Sequence, residues 1–330
     1  MLSDLQETVL DLAWSLWAAL GVPGWEQTRH EKIAIDPEPL ILFTAGLQSL
    51  DSRLYSEAYE WCRAHREVLS NVRLGHLRDS TTELAGPATD RFLLALGVVP
   101  RKGSRTRTHN LAVATRGRLY DVQAFDRPSQ IALRLRALFG VSARAEIVRM
   151  LLAYPQSVFS APELALQVNY VRRNVARALE SLLRGGLVKA LTDRNTVRFA
   201  LARPHELRDF VGAEPDRYPA WTQVLEFAAG LLAMDAEADR IASISLAVRA
   251  TRFLDAHASL IELHRLPPPP RIGASEVWPT VRPWAVATLR SIADNEGEVL
   301  ETPAVPPVLA KRRPPRKLKA SQPRRVRRSS

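Results

Sequence analysis

The chain carries a single cysteine, Cys62, among 330 residues. An internal disulfide is thereby excluded, as are zinc sites built from several thiolates and iron–sulfur clusters, which need multiple sulfurs. No run of about 18 apolar residues occurs, so no transmembrane helix or membrane insertion is expected. The first dozen residues hold Asp4, Glu7 and Asp11 but no Lys or Arg, which leaves out the basic start of a secretory signal. There is no glycine-rich phosphate loop, no G-x-S-x-G and no H-E-x-x-H. The seven histidines (His30, His65, His76, His109, His205, His257, His264) show no metal-ligand spacing. The expectation is a cytoplasmic protein that is not an enzyme and uses no metal or cofactor.

What the chain does have is positive charge, unevenly placed. The overall net charge is +11, but Lys311–Ser330 alone hold ten Lys and Arg and no acid. Residues 101–201 carry 18 basic and 6 acidic side chains, while residues 1–100 carry 8 and 14, and residues 202–310 carry 10 and 15. A basic middle between two acidic flanks is a better pointer to nucleic acid than the high isoelectric point, which the tail creates.

Along the chain, Leu5, Val9, Leu12, Leu16 and Leu20 recur at three- and four-residue steps, which predicts a helix buried on one face. Further helices are predicted from Asp36-Pro37-Glu38-Pro39 onward and from Asp51 to about His65, making residues 1–100 an N-terminal helical domain. Residues 101–130 form a basic connecting segment. Ile131, Leu133, Leu135 and Leu138 resume the helical pattern, which ends at Gly140. Residues 202–300 read as a C-terminal helical domain with helices near 219–234, 236–263 and 279–293. Pro267–Pro270 act there as a stiff spacer. Residues 301–330 are a disordered basic tail by composition.

Between the flanks, residues 131–201 carry the most specific pattern. Ser142–Ala153 is a helix with Ile147, Met150 and Leu151 inward. Gln156–Phe159 is a candidate short strand. Ser160-Ala161-Pro162-Glu163 is a capping box that opens a second short helix. Asn169-Tyr170 is a turn. In the third helix, 171–184, Val171, Val175, Ala178, Leu179 and Leu182 fall on one face. Arg173 and Arg177 fall on the other, with Arg172 and Asn174 on the flanks. Gly185-Gly186 stops this helix. Residues 187–191 and 196–201 then alternate as two strands of a hairpin, with Val197, Phe199 and Leu201 inward and Thr192–Asn195 at the tip. Helix, helix, helix and hairpin in this order make a winged helix-turn-helix. The predicted fold class is therefore mainly α: a central winged helix-turn-helix with a small β-hairpin wing, two flanking helical domains and the tail.

The run SAPELALQVNYVRRNVARALESLLRGGLVKALTDRNTVRFAL resembles the DNA-binding domain of MarR- and ArsR-type bacterial transcriptional regulators. The resemblance covers about 60 residues and lies in Val175, Ala178, Leu179, Leu182, Gly186, Leu187 and Val188. The metal-binding cysteines of ArsR-type proteins have no counterpart here. The resemblance implies sequence-specific binding of double-stranded DNA by a transcriptional regulator. Helix 171–184 would enter the major groove, where Arg pairs with guanine and Asn with adenine, and wing 187–201 would touch the backbone. The candidate DNA-binding residues are Asn169, Tyr170, Arg172, Arg173, Asn174, Arg177, Arg194, Asn195 and Arg198. A homodimer, and a protein partner on the acidic flanks, are the other contacts expected. The alternative is an interaction scaffold whose winged helix docks protein, with the tail binding nucleic acid nonspecifically.

Overall fold

The computed structural model describes residues 2–23, 29–98, 124–193, 196–212, 214–238, 240, 243–270 and 277–303. Most of the basic connecting segment and almost all of the tail lie outside these residues. The described chain is mainly helical, with thirteen α-helices and one small three-stranded antiparallel sheet.

Helix α1 (Asp4–Ala19) starts at a capping box. The Ser3 hydroxyl accepts from the Gln6 amide, and the Gln6 side chain accepts from the Ser3 amide at 2.9 Å. The expected stripe of Leu5, Val9, Leu12 and Leu16 is buried, but so are Trp14, Ser15 and Ala18. A second packing partner explains why the burial exceeds one face: α13 (Val277–Asp294) lies along α1. Helix α2 (Pro37–Gly46) is almost wholly buried, between α1, α3 (Ser52–Ala64), α4 (Asn71–Ser80), α5 (Pro87–Ala95) and α11 (Trp221–Glu237). Trp17 meets Trp61 edge-on at 5.3 Å, and its indole N–H donates to Thr44 Oγ1 at 2.8 Å, so the ring is buried without an orphaned donor.

One apolar core thus runs from α1–α5 into α11, α12 (Ser243–Leu263) and α13. The two flanks expected as separate helical domains share this core, and the chain returns to its beginning after the central residues. Periodicity does not reveal this, because it shows that a face is buried and not what covers it. Helix α12 also begins later than the residue-236 start expected, since α11 continues through Glu237.

The central unit has its own core. It comprises α6 (Ile131–Phe139), α7 (Ala143–Ala153), β1 (Phe159–Ser160), α8 (Ala161–Gln167), α9 (Arg172–Arg184), β2 (Val188–Asp193), β3 (Thr196–Leu201) and α10 (Pro204–Val211). The sheet order is β1-β3-β2, with Phe159 opposite Phe199 and Ala190 opposite Phe199 on the other side. Ser160 and Glu163 cap α8 reciprocally, as their spacing predicts. Gly186 follows α9 at φ +70°, a left-handed turn that a side chain would strain.

Three apolar positions differ from the pattern. Val171 and Leu138 are exposed, and so is Val197, although Phe199 and Leu201 on the same strand are buried. Burial along β3 increases from the tip to the base of the hairpin instead of alternating. The core of the central unit takes in Phe199 and Leu201 and does not reach Val197.

Candidate nucleic-acid interface

Helix α9 is the most clearly two-faced helix of the central unit. Val175, Ala178, Leu179 and Leu182 are buried at three- and four-residue steps against α7, α8 and β2. The remaining turns carry Arg172, Arg173, Asn174, Arg177 and Arg184, all exposed. Among the described residues none of these arginines has an ion-pair partner, and Glu180, one turn from Arg177, pairs with none of them. Four unpaired guanidinium groups on one short helix leave their charge directed at solvent.

The entry to α9 is fixed from below. Asn169 adopts φ +56°, a conformation Asn tolerates better than most side chains. Its carbonyl accepts from His76 Nδ1 on α4 at 2.8 Å. Tyr170, predicted to face DNA, is only 7% exposed, and its hydroxyl is 2.8 Å from Ser70 Oγ. Tyr170 therefore leaves the list of groups available to DNA; the ring fills the seam between α9 and the helical body. Ser70 and His76 lie about a hundred residues upstream, where no motif marks them.

Arg198 is half-buried on β3, the middle strand. Its guanidinium donates to the Val158 carbonyl at 3.4 Å and lies 3.9 Å from Glu163, so it is partly engaged by the unit itself. Arg194 and Asn195 lie outside the described residues. Lys189, not among the predicted contacts, is exposed on β2, an edge strand next to the end of α9.

The basic count of the middle segment overstates its surface charge, because three of its arginines turn inward. Arg136 on α6 is fully buried. It donates to Glu38 Oε1 and Oε2 at 2.7 and 2.6 Å, to Glu146 Oε1 at 2.8 Å and to the Val68 carbonyl at 2.9 Å. Arg73 on α4 grips both Asp36 oxygens at 2.7 and 2.5 Å and also contacts Glu38. Arg149 on α7 donates to Glu146 at 3.1 Å, and Arg134 bonds the Phe125 and Val211 carbonyls. Burial alone would raise the Asp36 carboxyl, but Arg73 more than offsets it and holds it below the ordinary range. Burial likewise opposes ionisation of Glu146, yet Arg136 and Arg73 bring it down to about 2. Two carboxylates of α2 and its cap and one of α7 are thus knitted to arginines from both sides of the seam. The base of the central unit is bolted to the body by charge.

Among the described residues no group of three or more His, Cys, Asp or Glu is placed to hold a metal ion, and no helix is long and apolar enough to cross a membrane. Comparison with protein-family models, curated proteins and solved structures finds no match to this chain.

Proposed function

We propose that the central unit is a winged helix-turn-helix and that the protein is a bacterial transcriptional regulator binding double-stranded DNA by sequence, without catalysis. In this reading α9 enters the major groove. Arg173 and Arg177 contact base edges, Arg172 and Asn174 support them from the flanks, and the hairpin β2–β3 meets the backbone. The observation that carries it is the exposed arginine face of α9, which has no acidic partner among the described residues. Glu180 is the one acid exposed on that helix, against four arginines. Lys189, exposed on β2, adds a phosphate contact at the wing. Regulators of this design commonly bind paired half-sites as dimers.

Genome-wide mapping of bound sites, followed by titration of the recovered motif, tests the reading. Arg173→Ala or Arg177→Ala should weaken a specific site by about 1–3 kcal/mol and relax its base preference. Unchanged affinity in both variants removes α9 as the reader. The exposed apolar side chains Val171, Leu191 and Val197 favour a second reading, a protein-docking surface. That reading prevails if the full chain binds no duplex.

A further inference from the structure

Between α12 and α13 the chain passes through four consecutive prolines, Pro267–Pro270. Helix α12 ends at Leu263, so the run is not what stops it. Trp284 Nε1 on α13 donates to the Pro267 carbonyl at 3.0 Å, which anchors the first ring, while Pro268 and Pro269 are exposed. The fold engages one end of the run and leaves its middle in solvent.

Four prolines in a row have a second consequence, at synthesis. To join two of them, the ring nitrogen of the incoming prolyl-tRNA attacks the ester carbonyl of the peptidyl-prolyl-tRNA. The new C–N bond forms, the ester C–O bond breaks, and the proton leaves the nitrogen for the ribose oxygen of the departing tRNA. Each ring locks φ at about −65° and the growing polyproline II segment is stiff, so neither reactant bends into line and the step is slow.

The place of the run in the chain gives that delay a structural meaning. The exit tunnel of a ribosome, on the order of 100 Å long, covers about thirty residues of extended chain. Tyr218, the last residue of the central core, lies fifty residues before Pro268 and is therefore already free. The seam is free as well, since Asp36, Glu38, Arg73, Arg136, Glu146 and Arg149 all precede it. The body is not. Its core needs Leu246, Ala250 and Leu254 of α12, still in the tunnel, and Val281, Ala285 and Leu289 of α13, not yet made. Chains fold from the N-terminal side as they emerge, yet α1 must wait for α13, which lies along it.

We infer that Pro267–Pro270 is a translational pause site, placed so that the central unit and its seam close before α12 and α13 complete the body. Output of the protein then depends on the translation factor that releases ribosomes arrested on consecutive prolines. Neither effect depends on DNA binding.

The test is translation of the whole chain in a purified bacterial system with and without that factor, with ribosome position read by primer extension. Without the factor, ribosomes should arrest at the codons for Pro268–Pro270, and adding it should clear them. Pro268→Ala/Pro269→Ala breaks the run at exposed positions and should abolish the arrest. Ribosomes that pass the wild-type codons as readily as those of the variant overturn the pause. Arrested chains are then exposed to a low concentration of protease. Fragments spanning the central unit should survive while α1 is cut, because its partner is missing. Equal protection, or equal loss, of the central unit and α1 overturns the order of closure.

Discussion

In the helical body, α1 closes against α13 at the far end of the described chain, and α2 packs on α11. In the central unit, α9 packs on its near neighbours α7, α8 and β2. The body is held by a wide apolar core with buried tryptophans. The central unit has a smaller core and is fastened to the body by the ion pairs Arg136–Glu38, Arg73–Glu146 and Arg149–Asp36. The central unit is thus closed by neighbours near in sequence and the body by segments far apart, with Arg136–Glu38 crossing between them.

The sharpest way to break this comparison is at the seam. Arg136→Met removes the most fully buried of the arginines that answer two buried carboxylates, Glu38 and Glu146, and leaves Arg73 and Arg149 to hold both charges. Uncompensated buried charge is expensive, so the variant should lose about 3–5 kcal/mol in urea unfolding. A loss below about 1 kcal/mol would show that the seam relaxes to admit water and does not anchor the unit.

Acid should separate the two regions in a fixed order. His30 is buried in the body, with Nδ1 2.7 Å from Ser15 Oγ and Nε2 bonded to the Ile292 carbonyl. Burial outweighs that carbonyl and lowers its pKa to about 4; burial does the same to His264, also to about 4. A histidine kept neutral in the fold gains protons on unfolding. Its contribution is therefore complete above about pH 6.5 and is lost as pH falls toward 4, about 3 kcal/mol for each. Glu146, held near 2 in the fold, contributes fully above about 4.5 and is lost only between there and about 2. The body should weaken first. All seven tryptophans lie outside residues 131–211, so tryptophan fluorescence follows the body alone. A fluorescence transition that holds steady from pH 6.5 to 4.5 and collapses only below it would reverse the order.

The smaller link across the seam is Tyr170. Tyr170→Phe keeps the ring and deletes the bond to Ser70, for an expected loss of about 1 kcal/mol in stability. Because Ser70 and the His76–Asn169 contact set the entry to α9, DNA affinity should fall with it even though the hydroxyl faces away from any duplex. Unchanged DNA affinity alongside that stability loss would make the contact structural only.

The same contrast explains how much was legible in the sequence. The Ser160–Glu163 box, the Val175–Leu182 stripe, Gly186 and the hairpin strands are local signals, and each element forms where its residues predict, except that β2 runs on through Thr192 and Asp193, expected in the hairpin tip. Tyr170 misled because a turn position next to a polar face looks solvent-facing until a partner from α4 covers it. Arg136 and Arg149 misled in the same way: counted as surface charge, they answer Asp36, Glu38 and Glu146, of which only Glu146 lies at helical spacing from Arg149. The shared core of the two flanks was invisible because apolar periodicity is silent about partners.

The finest test of the comparison concerns stability that should not change. Arg173 and Arg177 are exposed on α9, pair with no acid among the described residues, and sit away from its buried stripe. If they served the fold, as Arg136 does, their joint replacement by Ala would unfold the unit. Surface side chains without partners contribute within about 0.5 kcal/mol, and Ala is the better helix former. The Arg173→Ala/Arg177→Ala variant should therefore unfold at the wild-type urea midpoint or slightly above it while losing specific DNA affinity. A rise in midpoint would be informative in its own right. It would mean that two unpaired like charges one turn apart destabilise α9, a cost the fold tolerates because the charges serve a ligand outside it. A clear fall would place both side chains in the structure of the unit and detach them from recognition.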